Sequence, residues 1–107
     1  MELLISTRDA IALKDTIMSN ARNGYMKTWR VVTSKDGEDL LTHSPTQWDE
    51  KVLLRFDAKD STLTVSTTYW RGRNVPSDDD RGYYLGRFVE VLLTDYRNSI
   101  NSLTVNL

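Results

Sequence analysis

Three groupings of side chains in this 107-residue chain carry residue types that can do chemistry. His43, the single histidine, lies in Thr42-His43-Ser44-Pro45. An imidazole can act as a general base, and a Ser/His/Asp set can be drawn from the sequence. No nucleophile elbow accompanies it, so a polar residue at a strand end is the favoured reading. Asp78, Asp79 and Asp80 are consecutive. Hard cations take carboxylate oxygens, but three successive aspartates do not converge on one ion unless the backbone curls. The glycine and closing glutamate of an EF-hand loop are also missing. Capping of a following helix accounts for these residues better; an acidic surface offered to a basic cleft is the functional alternative. Tyr69-Trp70-Arg71-Gly72-Arg73 mixes aromatics with cations. That mixture suits base stacking with phosphate pairing, with Lys27, Trp29 and Arg30 as additions, and it equally suits a protein-contact hot spot.

Other chemistries are poorly provided for. The chain has no cysteine, which excludes disulfides, thiolate nucleophiles and cysteine-based zinc sites. Glycine-rich phosphate loops and HExxH are missing, so neither a metal nor a cofactor is expected. The formal charge of -1 gives no long-range attraction to nucleic acid or to an anionic membrane. No apolar run approaches the roughly 20 residues that cross a bilayer. The opening Met-Glu-Leu-Leu-Ile-Ser has no basic leader and only a brief apolar run, so cytoplasmic residence is the expectation.

The elements that must position these groups follow from periodicity. Residues 51–70 alternate β-branched or aromatic with polar side chains on both sides of Ala58-Lys59-Asp60-Ser61, which predicts a hairpin. A four-residue loop there sets Asp57 opposite Thr62, Arg55 opposite Thr64 and Phe56 opposite Leu63. Ala10, Leu13, Ile17 and Ala21 recur at helical spacing, with Ile11 and Met18 widening the stripe, and predict a helix over 7–22, capped by Ser6 or Thr7 and stopped by Asn23-Gly24. Residues 2–5 read as a short strand or as the lead-in to that helix. A strand over 25–34, with Tyr25, Trp29 and Val31 on one face and Met26 and Val32 on the other, turns at Asp36-Gly37 into a strand over 39–43. In that strand Leu40 and Leu41 are adjacent and leave the inward face open. Tyr84, Leu85, Phe88, Val89, Leu92 and Tyr96 form an apolar stripe that predicts a helix over 81–98. Gly86 in its interior suggests close approach to a strand. Leu103, Val105 and Leu107 alternate as a terminal strand, available to its own sheet or to another copy of the chain.

A single α+β domain over residues 1–107 follows, with about five mainly antiparallel strands and two amphipathic helices on one face, in the order α-β-β-β-β-α-β. The other face is then open to solvent, carrying Lys51, Leu53, Arg55, Asp57, Thr62, Thr64, Ser66, Thr68 and Trp70. The leading expectation for function is a non-catalytic protein-binding module, an immunity protein or antitoxin that inhibits a toxin or enzyme. Asp78, Asp79 and Asp80 would supply charge complementarity. Trp70 and Arg73 would be the anchors, with Leu53 and Arg55 beside them. The alternative is a single-stranded nucleic-acid binder using Lys51, Arg55, Trp70, Arg71 and Arg73. An enzyme using His43 ranks third.

Overall fold

A computed structural model describes all residues, 1–107. Its elements in chain order are β1 (Glu2–Thr7), α1 (Ala10–Arg22), β2 (Trp29–Thr33), β3 (Asp39–His43), β4 (Leu53–Lys59), β5 (Thr62–Thr68), α2 (Asp78–Asp95) and β6 (Ile100–Asn106), with a 3₁₀ turn over Arg97–Ser99. The strands form one sheet in the order β2-β3-β4-β5-β1-β6, and every neighbouring pair is antiparallel. This is the α+β arrangement expected, with one strand more. Residues 2–7 are not the lead-in to a helix but an interior strand, paired on both sides by β5 and β6.

Both helices lie on one face for a topological reason. α1 carries the chain from β1 toward the β2 edge, while α2 carries it from β5 to the opposite edge. β1 and β5 run in opposite directions. Two right-handed crossovers that move oppositely from oppositely directed strands fall on the same side of the sheet. The resulting core is a cluster of 20 buried residues. α1 contributes Leu13, Ile17 and Met18, α2 contributes Tyr84, Phe88 and Leu92, and the sheet contributes Leu3, Ile5, Leu41, Leu54, Phe56, Leu63 and Val65.

Several local expectations are corrected. The β4–β5 loop has two residues, Asp60-Ser61, not four, so Asp57 faces Thr64, Arg55 faces Ser66 and Phe56 faces Val65. Asp60 makes the tight turn possible by adopting φ 54°, a left-handed conformation that aspartate tolerates better than most residues. A shift of two leaves every side chain on its expected face, because the pleat repeats every two residues. α1 begins three residues late. Asp9, rather than Ser6 or Thr7, is its N-cap and accepts from the Ala12 amide at 3.1 Å. β2 begins only at Trp29; before it, Met26 is buried in the core and Tyr25 is exposed. The β2–β3 connection spans residues 34–38, with Ser34 and Glu38 joined by the Ser34 amide on the Glu38 carbonyl and the turn between them closed by the Gly37 amide on the Ser34 carbonyl. Gly37 takes φ 84°, the glycine-requiring position of a type I turn with a bulge.

α2 begins at Asp78, capped by the Ser77 hydroxyl on the Asp80 amide at 3.1 Å, and ends at Asp95. Gly86 makes no close approach to a strand: it is exposed, and a Cβ on it or on Gly82 would meet nothing within 4 Å. Both glycines therefore cost helix stability with no packing return. Replacing Gly82 and Gly86 together by Ala should stabilise the protein by about 1–2 kcal/mol, read as a higher midpoint in urea unfolding.

Candidate functional site

The face away from the helices is open, but not uniformly. Val32, Leu40 and Leu53 are buried on that side in a small separate cluster, and Trp70 packs over them. Leu53 is only 1% exposed, so it cannot serve as a landing residue; it lies beneath the indole. Trp70 itself is half-buried and folds down onto the sheet instead of standing free.

What fixes the indole is Glu50. Its carboxylate accepts from Trp70 Nε1 at 2.6 Å and from Arg30 at 2.7 Å, and its backbone amide donates to the Thr42 hydroxyl at 2.9 Å. Arg30 also grips Asp49 with contacts of 2.9 and 3.1 Å from one nitrogen. Glu50 sits at φ 58°, a conformation that non-glycine residues hold only when surrounding contacts over-determine it. The indole hydrogen bond, followed by that from Arg30, holds its carboxyl below the usual range. Sequence reasoning missed Glu50 entirely, because both of its side-chain partners lie 20 residues away. A signal was present in part. The adjacent apolar pairs Val31-Val32, Leu40-Leu41 and Leu53-Leu54 lie on β2, β3 and β4, and paired apolar residues mark a sheet covered on both faces.

The remaining predicted residues divide. Arg73, Asp78, Asp79 and Asp80 gather at the same end of the sheet as Trp70. An open groove of about 410 Å³ is lined by Glu50, Lys51, Arg73, Ser77 and Asp80, with Val75 at its side. Lys51 leaves the open face on which it was expected. Its ammonium lies 3.5 Å from Asp80 and 5.1 Å from the centre of the Trp48 ring. Asp78 pairs with Arg81 at 3.2 Å, while Asp79 is exposed and makes no ion pair. All three aspartates occupy the first turn of α2, where the helix dipole favours them. Tyr69, Arg71, Arg73 and Val75 are exposed in the connection between β5 and α2, and neither arginine is in an ion pair. Arg55 is on the open face as expected but is engaged by Glu38 through contacts of 2.9 and 3.1 Å.

His43 ends β3, as expected for a strand-end residue, but it is 2% exposed. Its ring lies 4.7 Å from that of Trp29, 5.8 Å from Tyr83 and 6.0 Å from Tyr84. Nδ1 is buried with no hydrogen-bond partner. A general base must come within hydrogen-bond reach of its substrate, and this imidazole is enclosed by aromatics. Beside it Tyr83 stacks on Trp48 at 3.9 Å, and the buried Tyr84 hydroxyl contacts the Trp48 carbonyl and, at 3.2 Å, the Thr42 hydroxyl.

Comparison with protein families, with curated proteins and with solved structures returns no significant match. No helix is long and apolar enough to cross a membrane.

Proposed function

We propose that the chain is a non-catalytic protein-binding module, an inhibitor of the immunity-protein or antitoxin kind that acts in the cytoplasm on a toxin or enzyme. One observation carries this reading. Residues 69–80 bring Tyr69, Arg71, Arg73, Val75, Asp78 and Asp79 to the surface in one continuous stretch, on a base braced by the Trp70–Glu50–Arg30 contacts. An aromatic, two unpaired guanidinium groups and an apolar side chain on a pre-set support are the ingredients of a protein-contact hot spot. The two exposed carboxylates add complementarity to a basic partner. The cations a nucleic-acid binder would need are less free, since Arg30 and Arg55 on the open face and Lys51 away from it all pair with carboxylates.

The test is capture of partners from the native host on the immobilised protein at physiological salt, followed by mass spectrometry and titration with the purified partner. The expected result is a protein partner whose affinity falls by about 2 kcal/mol, or roughly thirtyfold, in Arg73→Ala. No protein retained, or a partner indifferent to Arg73, Val75 and Asp79 substitutions, overturns the reading. So does tight oligonucleotide binding that weakens steeply with salt.

A further inference from the structure

The two edges of the sheet are built differently. β2 is the shorter, with five residues; Arg30 within it is held by Asp49 and Glu50, and Lys27 and Lys35 flank it. Short length and nearby charge are how natural edges discourage further pairing. β6 has neither device. Its seven residues, Ile100-Asn-Ser-Leu-Thr-Val-Asn106, contain no charge, no proline and no glycine, and it pairs only with β1. Along its helix side lies a groove of about 250 Å³ whose apolar wall is Leu92, Leu93, Ile100 and Leu103, with Arg97, Asn101 and Ser102 completing the lining. Leu93 is 50% and Val105 53% exposed.

We propose that this edge is an interface between two copies of the chain, formed by antiparallel pairing of β6 with β6 about Leu103. The strand is its own best complement. A two-fold axis at Leu103 sets Leu103 against Leu103 and Ser102 against Thr104, with no charged side chain within the paired strands. Residues directly opposite in an antiparallel pair share a face, so both copies keep their helices on the same side. Half-buried Leu103 and the exposed Val105 and Leu93 then come together above the joined sheet, and the outward N–H and C=O groups of β6 gain partners. An isologous contact of this kind closes at two copies and leaves the charged β2 edges outermost. The interface lies at the opposite edge of the sheet from β2 and β3, so it does not depend on the binding surface proposed above.

The test is the molar mass in solution from sedimentation equilibrium between about 1 and 200 μM (a range matched to modest interfaces). Ser102 and Thr104 are exposed, so substituting them leaves the core intact; circular dichroism verifies this. The wild type should approach twice 12.3 kDa. Ser102→Glu with Thr104→Glu sets carboxylates opposite one another across the axis and should shift the mass to that of a single chain. Ser102→Glu with Thr104→Lys sets opposite charges across the same positions and should restore the pair. A monomeric wild type overturns the proposal. A dimer that both double variants leave unchanged, or dissociate alike, overturns the interface and its register. A wild type that stays single but takes up an added extended peptide assigns the edge to another partner and likewise overturns it.

Discussion

Removing one oxygen atom from Tyr84 should destabilise the protein by about 1–3 kcal/mol. The hydroxyl is buried at the junction of α2, the end of β3 and the crossing segment 44–52, where it meets the Trp48 carbonyl and the Thr42 hydroxyl. In Tyr84→Phe these groups stay buried while losing a partner, and an unsatisfied buried polar group is more costly than the average hydrogen bond is favourable. Burial also raises the Tyr84 pKa, so the hydroxyl remains a neutral donor throughout the physiological range. Tyr84→Ala should cost about 3–5 kcal/mol, because an aromatic side chain at 0% exposure is replaced by a cavity. Against a total stability of about 5–15 kcal/mol the second change is severe. Urea unfolding of the two variants at pH 7 separates the effects. A Tyr84→Phe variant within about 0.5 kcal/mol of wild type would mean that water replaces the hydroxyl and the tether is dispensable.

The consequence extends beyond stability. The segment fastened by Tyr84 includes Glu50, and Glu50 holds Trp70 and Arg30. Loosening the segment should therefore also loosen the support beneath residues 69–80. Partner affinity in Tyr84→Phe would then fall further than in a variant equally destabilised elsewhere, for example Ile17→Val in α1.

How much of this was legible in residue order depends on the range of the interaction that decides it. The helices are set by apolar spacing and caps within a few residues, and their buried faces are as expected except at Ile11, which widens the apolar stripe of α1 in sequence but is exposed in the fold. The β4–β5 hairpin shows the limit of a two-residue period. Alternation assigns Phe56, Leu54, Leu63 and Val65 to one face correctly, yet it cannot distinguish a four-residue loop from a two-residue loop, since both preserve parity. The turn chemistry of Asp60 decides between them. β1 was ambiguous because six residues of mixed pattern are stabilised by two partners far away in sequence, 62–66 and 100–106. The candidate site was the least legible part. Trp70 was rightly placed on the open face, but whether an indole stands up or lies down depends on Leu53 and Leu40 beneath it and on Glu50 beside it. His43 was polar by residue type and became buried by context, because Trp29 comes from β2 and Tyr83 and Tyr84 from α2, both distant from it in sequence.

That burial gives His43 a measurable signature in acid. Desolvation lowers its pKa from the ordinary value of 6.5, the Arg87 guanidinium adds to the lowering, and a hydrogen bond to the Thr28 backbone acts in the opposite direction. Below pH 6.5 the unfolded chain takes up a proton that the folded chain resists, so the unfolded state is favoured. Stability should be independent of this group above its unfolded value and should decline as pH falls from 6.5 toward the folded value. The slope is at most one proton, or about 1.4 kcal/mol per pH unit. Asp39 and Glu50 act in a separate window. Their carboxyls are held low, by Arg22 in the first case and by Trp70 in the second. Their contribution is present above the ordinary values of 3.8 and 4.5 and is lost as pH falls below them. Unfolding midpoints between pH 7.5 and 5.5 therefore isolate the imidazole, the only histidine in the chain. The wild type should weaken across that interval, whereas His43→Phe, which keeps an aromatic ring in place and removes the orphaned Nδ1, should stay level. A level wild type would show that the folded protein accommodates the charged ring, and an equal decline in His43→Phe would assign the proton to another group.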